Sequence, residues 1–166
     1  MDLLKTLLFT ILVPGTVAGY VPAWLRRGEA AEAAPPAWRV AAGVLVFAVG
    51  AAVYLRCAWD FATAGRGTPS PTHPPRALVA RGLYRWSRNP MYVGVVMVVL
   101  GQALGFASRA DAVYGALLWA AFHLRVVLVE EPVLRRSFGA AYEGYVARVP
   151  RWFGRARPAP EPFRIP

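Results

Sequence analysis

The chain has 166 residues, 57% of them hydrophobic and 17% charged, with a formal net charge of +10. Its basic residues are all arginine except Lys5, and they lie between and after long apolar blocks. That distribution argues against a soluble nucleic-acid binder and fits the flanks of membrane helices; the lone cysteine, Cys57, excludes an internal disulfide and reads as a small buried side chain.

A first apolar run, Leu3 to Leu25, is long enough to cross a bilayer, with Pro14 as its expected kink. A cleaved signal peptide has a shorter apolar core, and Tyr20, Trp24 and Arg26-Arg27 read as interfacial anchors of a retained helix. After the polar loop "GEAAEAAPP", a second span is expected from Trp38 to Phe61. Arg56 and Asp60 stand four apart on its last turn, a spacing that lets them pair as an interfacial ion pair or as part of a polar site.

Residues 62–89 are rich in glycine and proline and carry five arginines, so no long helix is expected there. Leu78, Val79, Leu83, Tyr84 and Trp86 give this loop something to pack with. His73 has no histidine or cysteine spaced to share a metal, so no metal is expected. A third span, Met91 to Ala107, covers about 25 Å of helix. "SRAD" (108–111) reads as a tight turn into a fourth span, Ala112 to Val129, the two forming a hairpin. Gly94, Gly101 and Gly105 would permit close backbone contact. Beyond Glu130 the chain turns polar, with Leu134, Phe138, Tyr142 and Tyr145 on one face of an amphipathic helix, and 154–166 reads as a disordered tail.

The expected fold class is therefore all-α, a polytopic membrane protein of four spans with a C-terminal amphipathic helix. Three units are expected: 1–37 with the first span, a 38–153 core, and the 154–166 tail. The 62–89 loop and the tail hold twelve arginines, against three in the other two connections. The positive-inside rule then places both termini and the irregular loop in the cytoplasm.

Two clusters should meet at that face. Tyr84, Arg88, Asn89, Pro90 and Tyr92 enter the third span, and Glu130-Glu131-Pro132 leave the fourth. Adjacent carboxylates at a bilayer boundary repel unless a cation compensates, and simple balance by nearby arginines is one reading of them. Pro132 is expected to stop the helix and leave carbonyls without backbone donors. Arg125, five residues before Glu130, is expected on a different side of the helix, either a functional group or a snorkelling one.

The order "LVARGLYRWSRNPMYVG", hairpin, "EEPVLRRSFGAAYEGYVARVPRW" resembles the isoprenylcysteine carboxyl methyltransferase and phospholipid methyltransferase group, over roughly residues 40 to 153. The resemblance implies S-adenosylmethionine as cofactor, a lipid-like or small hydrophobic acceptor, and a cytoplasmic active site. It implies that Arg76, Leu78 and Val79 line the nucleoside, that Tyr84 and Asn89, Pro90, Met91 and Tyr92 hold the adenosine and methionyl parts, and that Glu130 binds the polar end with Glu131 in support. The family's substrate-orienting arginine would fall at Val126, with Arg125 beside it as the substitute. Asn89 stands where many relatives have histidine; it keeps a donor and an acceptor but does not titrate near neutrality. Sterol reductases share a related architecture, so an NADPH-dependent reductase and a non-catalytic scaffold stand as rivals.

Overall fold

A computed structural model describes residues 14–29, 34–64, 78, 80–153 and 159. Among these the fold is helical, with no strand. A π-turn, Thr16–Tyr20, leads into α1 (Val21–Arg26). Then come α2 (Ala37–Ala64), a 3-10 turn (Gly82–Arg85), α3 (Pro90–Gly105) and α4 (Arg109–Arg125). A second π-turn, Val126–Glu130, joins α4 to α5 (Glu131–Val146).

Two stretches are long and apolar enough to cross a membrane, Ala37–Asp60 and the run Arg109–Val146. Helix α3, at 16 residues, is shorter, and the expected first span is described only from Pro14 onward. On α2, Trp38 and Trp59 are 70% and 63% exposed and lie about 32 Å apart along the helix axis. That separation is comparable to the hydrocarbon thickness of a bilayer.

Helices α2 and α3 pack through glycine. A Cβ on Gly43 would lie 2.5 Å from Gly105 Cα, one on Gly50 2.8 Å from Gly94 O, and one on Gly101 2.5 Å from Phe47 N. The sequence pointed to the α3 side of this seam; Gly43 and Gly50 supply the other side. Close backbone approach gives the dispersion contact that membrane helices need in place of a hydrophobic drive.

The hairpin turn falls earlier than the expected 108–111. Helix α3 closes with Ser108 N donating to Ala103 O (3.0 Å) and Ala107 N to Leu104 O (3.3 Å), Ala107 being left-handed at φ 58°. This is a Schellman closure. Ser108 then caps α4, its side chain accepting from Asp111 N at 3.0 Å, so the helix starts at Arg109.

At that end Arg26 is more than an interfacial anchor. Its guanidinium donates to Asp111, which is fully buried, and lies 4.3 Å from the Phe106 ring centroid. Glu29 Oε1 accepts Ala110 N at 2.8 Å, and hydrogen bonds from the Ser108 hydroxyl and from this amide hold the Glu29 carboxyl below its ordinary range. At the other end, Asp60 pairs with Arg56 (3.3 Å), as the spacing predicts, and with Arg81 (3.4 Å).

Pro132 does not stop the fourth helix. The chain passes it as a helix, and the π-turn before it takes up the misfit that a ring would cause in a regular α-turn. The first true break comes at Gly139, with φ 48° and ψ −126° inside α5. Leu134, Phe138, Tyr142 and Tyr145 do share one packed face, joined by Leu78, Val149 and Ala159.

Candidate active site

The hairpin brings Tyr92 and Glu130 together as the sequence implies: Tyr92 Oη donates to Glu130 Oε1. Pro90 occupies the first position of α3, where its missing N–H costs nothing, and Asn89 precedes it as the cap residue. Tyr92 is then one turn into the helix, its ring stacked on Phe122 of α4 at 4.3 Å between centroids.

Arg125 joins this pair, against the expectation from regular helical spacing. Its Nε donates to the same Glu130 Oε1 at 2.9 Å. The reason is the second π-turn: an i→i+5 hydrogen bond, from Glu131 N to Val126 O, adds a residue to the turn and swings residue 130 round to the face of residue 125. Both donors converge on Oε1, and the Glu130 side chain is 27% exposed.

Glu131 has a different role. It is 3% exposed and lies among three guanidiniums: Arg88 Nη1 (3.0 Å), Arg151 Nε (2.6 Å) and Arg135 Nη1 (3.6 Å). Arg151 Nη2 also donates to Oε2 at 3.0 Å, completing a fork on the carboxylate. That hydrogen-bonded carboxylate holds the Arg151 guanidinium above its ordinary range. The compensation by arginine that paired carboxylates require is thus supplied chiefly to Glu131.

The segment after α5 folds back onto the entry of α3. Arg88 N donates to Pro150 O (2.9 Å), while Ser87 Oγ (3.2 Å) and Asn89 Nδ2 (3.1 Å) both donate to Arg151 O. Asn89 therefore clasps the C-terminal segment. The next residues extend along α4: Trp152 Nε1 donates to His123 Nδ1 at 3.1 Å, and Trp119 packs against Trp152 at 4.4 Å.

Tyr84, Met91 and Leu78 turn inward instead. Tyr84 is 6% exposed, clustered with Cys57, Leu83 and Met91, and burial pushes its phenol well above the ordinary tyrosine range. Its carbonyl accepts Tyr145 Oη at 2.7 Å. The Leu78 side chain joins the Tyr142–Tyr145 cluster. Arg76, Val79, His73 and nearly all of the expected tail lie outside the described residues. Phe122, His123, Arg151 and Trp152 were missed in the sequence; the one signal was that Arg151-Trp152 repeats the arginine–aromatic pairing of Arg85-Trp86.

Among the described residues no group of three His, Cys, Asp or Glu side chains could hold a metal ion. The fold and site thus define a helical protein with apolar spans, whose polar centre is a glutamate held by a tyrosine and an arginine. The profile of the phospholipid methyltransferase family matches residues 38–141, and the chain belongs to that family. It is also 34% identical over 74 residues to a protein-S-isoprenylcysteine O-methyltransferase of Schizosaccharomyces pombe, an alignment covering 44% of this chain and 31% of that protein. The chain thus spans about a third of the length of that relative. No solved structure matches. Family and apolar helices together make this an integral membrane protein of a methyltransferase family.

Proposed function

We propose that the protein transfers a methyl group from S-adenosylmethionine to a lipid-like or small hydrophobic acceptor at the cytoplasmic face of a membrane. The observation that carries this reading is the convergence of Tyr92 and Arg125 on one oxygen of Glu130. Glu130 is thereby fixed in orientation with its second oxygen turned to no recorded donor among the described residues. A fixed carboxylate beside stacked aromatic faces suits a cationic cofactor, so the residues fit the group.

When bound, the cofactor supplies an electrophilic methyl on a sulfonium centre. The chain's own work is alignment and exclusion of water. Glu130 holds the polar end of the cofactor, Tyr92 and Phe122 wall it, and Arg125 orients either Glu130 or the acceptor. Arg76, Leu78 and Val79 contact the nucleoside through backbone groups, with Asn89, Pro90, Met91 and Tyr84 shaping the same pocket from behind. Glu131 acts as support, by gathering Arg88, Arg135 and Arg151. The acceptor classes carried by the names of the family and of the relative are a phospholipid and an isoprenylated cysteine.

The same reading includes four spans, a core over 38–153, and both termini in the cytoplasm, supported by the arginine asymmetry. Membership of a methyltransferase family favours methyl transfer over reduction by a nicotinamide cofactor. Detergent-purified protein is expected to bind S-adenosylmethionine in calorimetry, with binding lost in Glu130→Gln and Tyr92→Ala. Absence of binding at millimolar cofactor overturns the reading, and a labelled methyl traced into membrane extract identifies the acceptor.

A further inference from the structure

Asn89 is the cap residue of α3, yet its side chain makes no cap bond there. Asparagine favours that position because its side-chain oxygen can accept a first-turn amide. Here the backbone takes φ −131° and ψ 48°, and Nδ2 donates instead to Arg151 O at 3.1 Å. Ser87 Oγ donates to the same carbonyl at 3.2 Å and itself accepts Asn89 N at 3.1 Å. With Arg88 N on Pro150 O, three consecutive residues before α3 grip two residues after α5.

Arg88 and Arg151, one from each gripped segment, supply two of the three guanidiniums around Glu131, at 3.0 Å and 2.6 Å. The Arg151 fork reaches both carboxylate oxygens, so it fixes the side chain in rotation as well as in place. Glu131 N in turn closes the π-turn onto Val126 O. Such turns are rare and compete with regular α-turns. Without the extra residue in the turn, the chain beyond it would be rotated by about 100° relative to α4. Glu131 would leave its arginines, and Glu130 would leave Arg125 and Tyr92. The ion cluster on Glu131 therefore selects the π-turn, and the π-turn places Glu130.

We propose that Asn89 is a positioning residue for the cofactor site and does not itself touch the cofactor. By holding the Arg151 carbonyl, it seats the Arg151 fork on Glu131. The fork pins the π-turn, and the pinned turn sets the Glu130 carboxylate against Arg125 and Tyr92. The effect on the cofactor rests on the methyl-transfer reading; the relay from Asn89 to the π-turn does not.

The test uses full-length purified protein in detergent, with amide hydrogen exchange and S-adenosylmethionine binding as its two readouts. In Asn89→Ala the amides of Arg88 and Glu131 exchange several-fold faster, while α2 exchanges as in the wild type. Asn89→His, whose ring can present an N–H in about the place of the amide nitrogen, restores both. Arg151→Gln, which removes the fork directly, speeds the Glu131 amide as well. The cofactor binds about fivefold more weakly to Asn89→Ala, the net contribution of one hydrogen bond. In an Arg151→Gln background the same change adds less than about twofold, because the relay is already broken. An equal loss in both backgrounds means direct contact with the cofactor and overturns the relay. A Glu131 amide that stays protected in Asn89→Ala or in Arg151→Gln overturns it too. Failure of the wild type to bind the cofactor defeats the methyl-transfer reading separately, and the exchange data then decide the relay alone.

Discussion

Arg125 Nε meets Glu130 Oε1 at 2.9 Å across one turn of chain, although the two residues are five apart in sequence. Regular α-helical geometry makes neighbours of residues three and four apart, so the contact exists because the turn between them is a π-turn. Both side chains are partly exposed, at 35% and 27%, and such a pair contributes little to stability. Arg125→Leu is therefore expected to change unfolding free energy by less than about 1 kcal/mol, while the proposed methyl transfer falls at least tenfold. Parallel thermal melts and turnover assays check this, and an equal loss in both would mark Arg125 as structural.

Glu131 should behave in the opposite way. It is 3% exposed and surrounded by Arg88, Arg135 and Arg151, so neutralising it leaves buried positive charge without a partner. Glu131→Gln is expected to destabilise the protein by about 3 kcal/mol. Denaturant titration in detergent measures it; a variant as stable as wild type would show that the arginines relax to solvent.

Ala107 sits at φ 58°, a conformation that a Cβ disfavours, in the Schellman closure of α3. Ala107→Gly is expected to stabilise the chain by about 0.5 kcal/mol, the relief of strain outweighing the entropy of glycine. The reverse change at Gly82, also left-handed at φ 57°, should cost more than strain alone, because a Cβ there lies 2.5 Å from Asp60 Oδ2. Melting temperatures of the two variants should move in opposite directions.

Gly101→Ala introduces a Cβ 2.5 Å from the backbone nitrogen of Phe47, which cannot swing aside. A loss of about 2 kcal/mol or more is expected, compared with little effect for Gly144→Ala, where nothing lies within 4 Å. Similar losses at the two positions would mean that the seam opens freely.

Tyr84 gives an alkaline signature. Burial raises its folded-state pKa above that of an unfolded tyrosine, about 10. The neutral phenol is thus the form the fold favours: its contribution is complete below pH 10 and is lost as the pH climbs above that value. Tyr84→Phe should flatten the fall in stability between pH 9 and pH 11, followed by melts across that range; an unchanged slope would place the alkaline sensitivity elsewhere.

Much of the fold was legible because apolar run length and glycine spacing are properties of neighbouring residues. The second span, the hairpin, the meeting of Tyr92 with Glu130 and the shared face of Leu134, Phe138, Tyr142 and Tyr145 follow from them. The Ser108 cap was legible in principle, since its serine stands three residues before Asp111. Other features left no local mark. A π-turn adds a residue to a hydrogen-bond ring without altering composition, so Pro132 read as a stop and Arg125 as turned away. Alanine is an unexpected residue for a left-handed closure, which hid the true turn at Ala107. Arg151 reaches Glu131 across twenty residues, and no periodicity announces a contact of that kind.

The clasp between Arg26 and Asp111 bears on where the protein can be cut. A fragment trimmed to the family-matched residues 38–141 would lose Arg26 at one end and Arg151 at the other. It would keep Asp111 and Glu131, both anionic and both almost wholly shielded from solvent, without those arginines. The stretch by which kinship is recognised therefore leaves out two guanidiniums that serve as counterions to carboxylates buried within it.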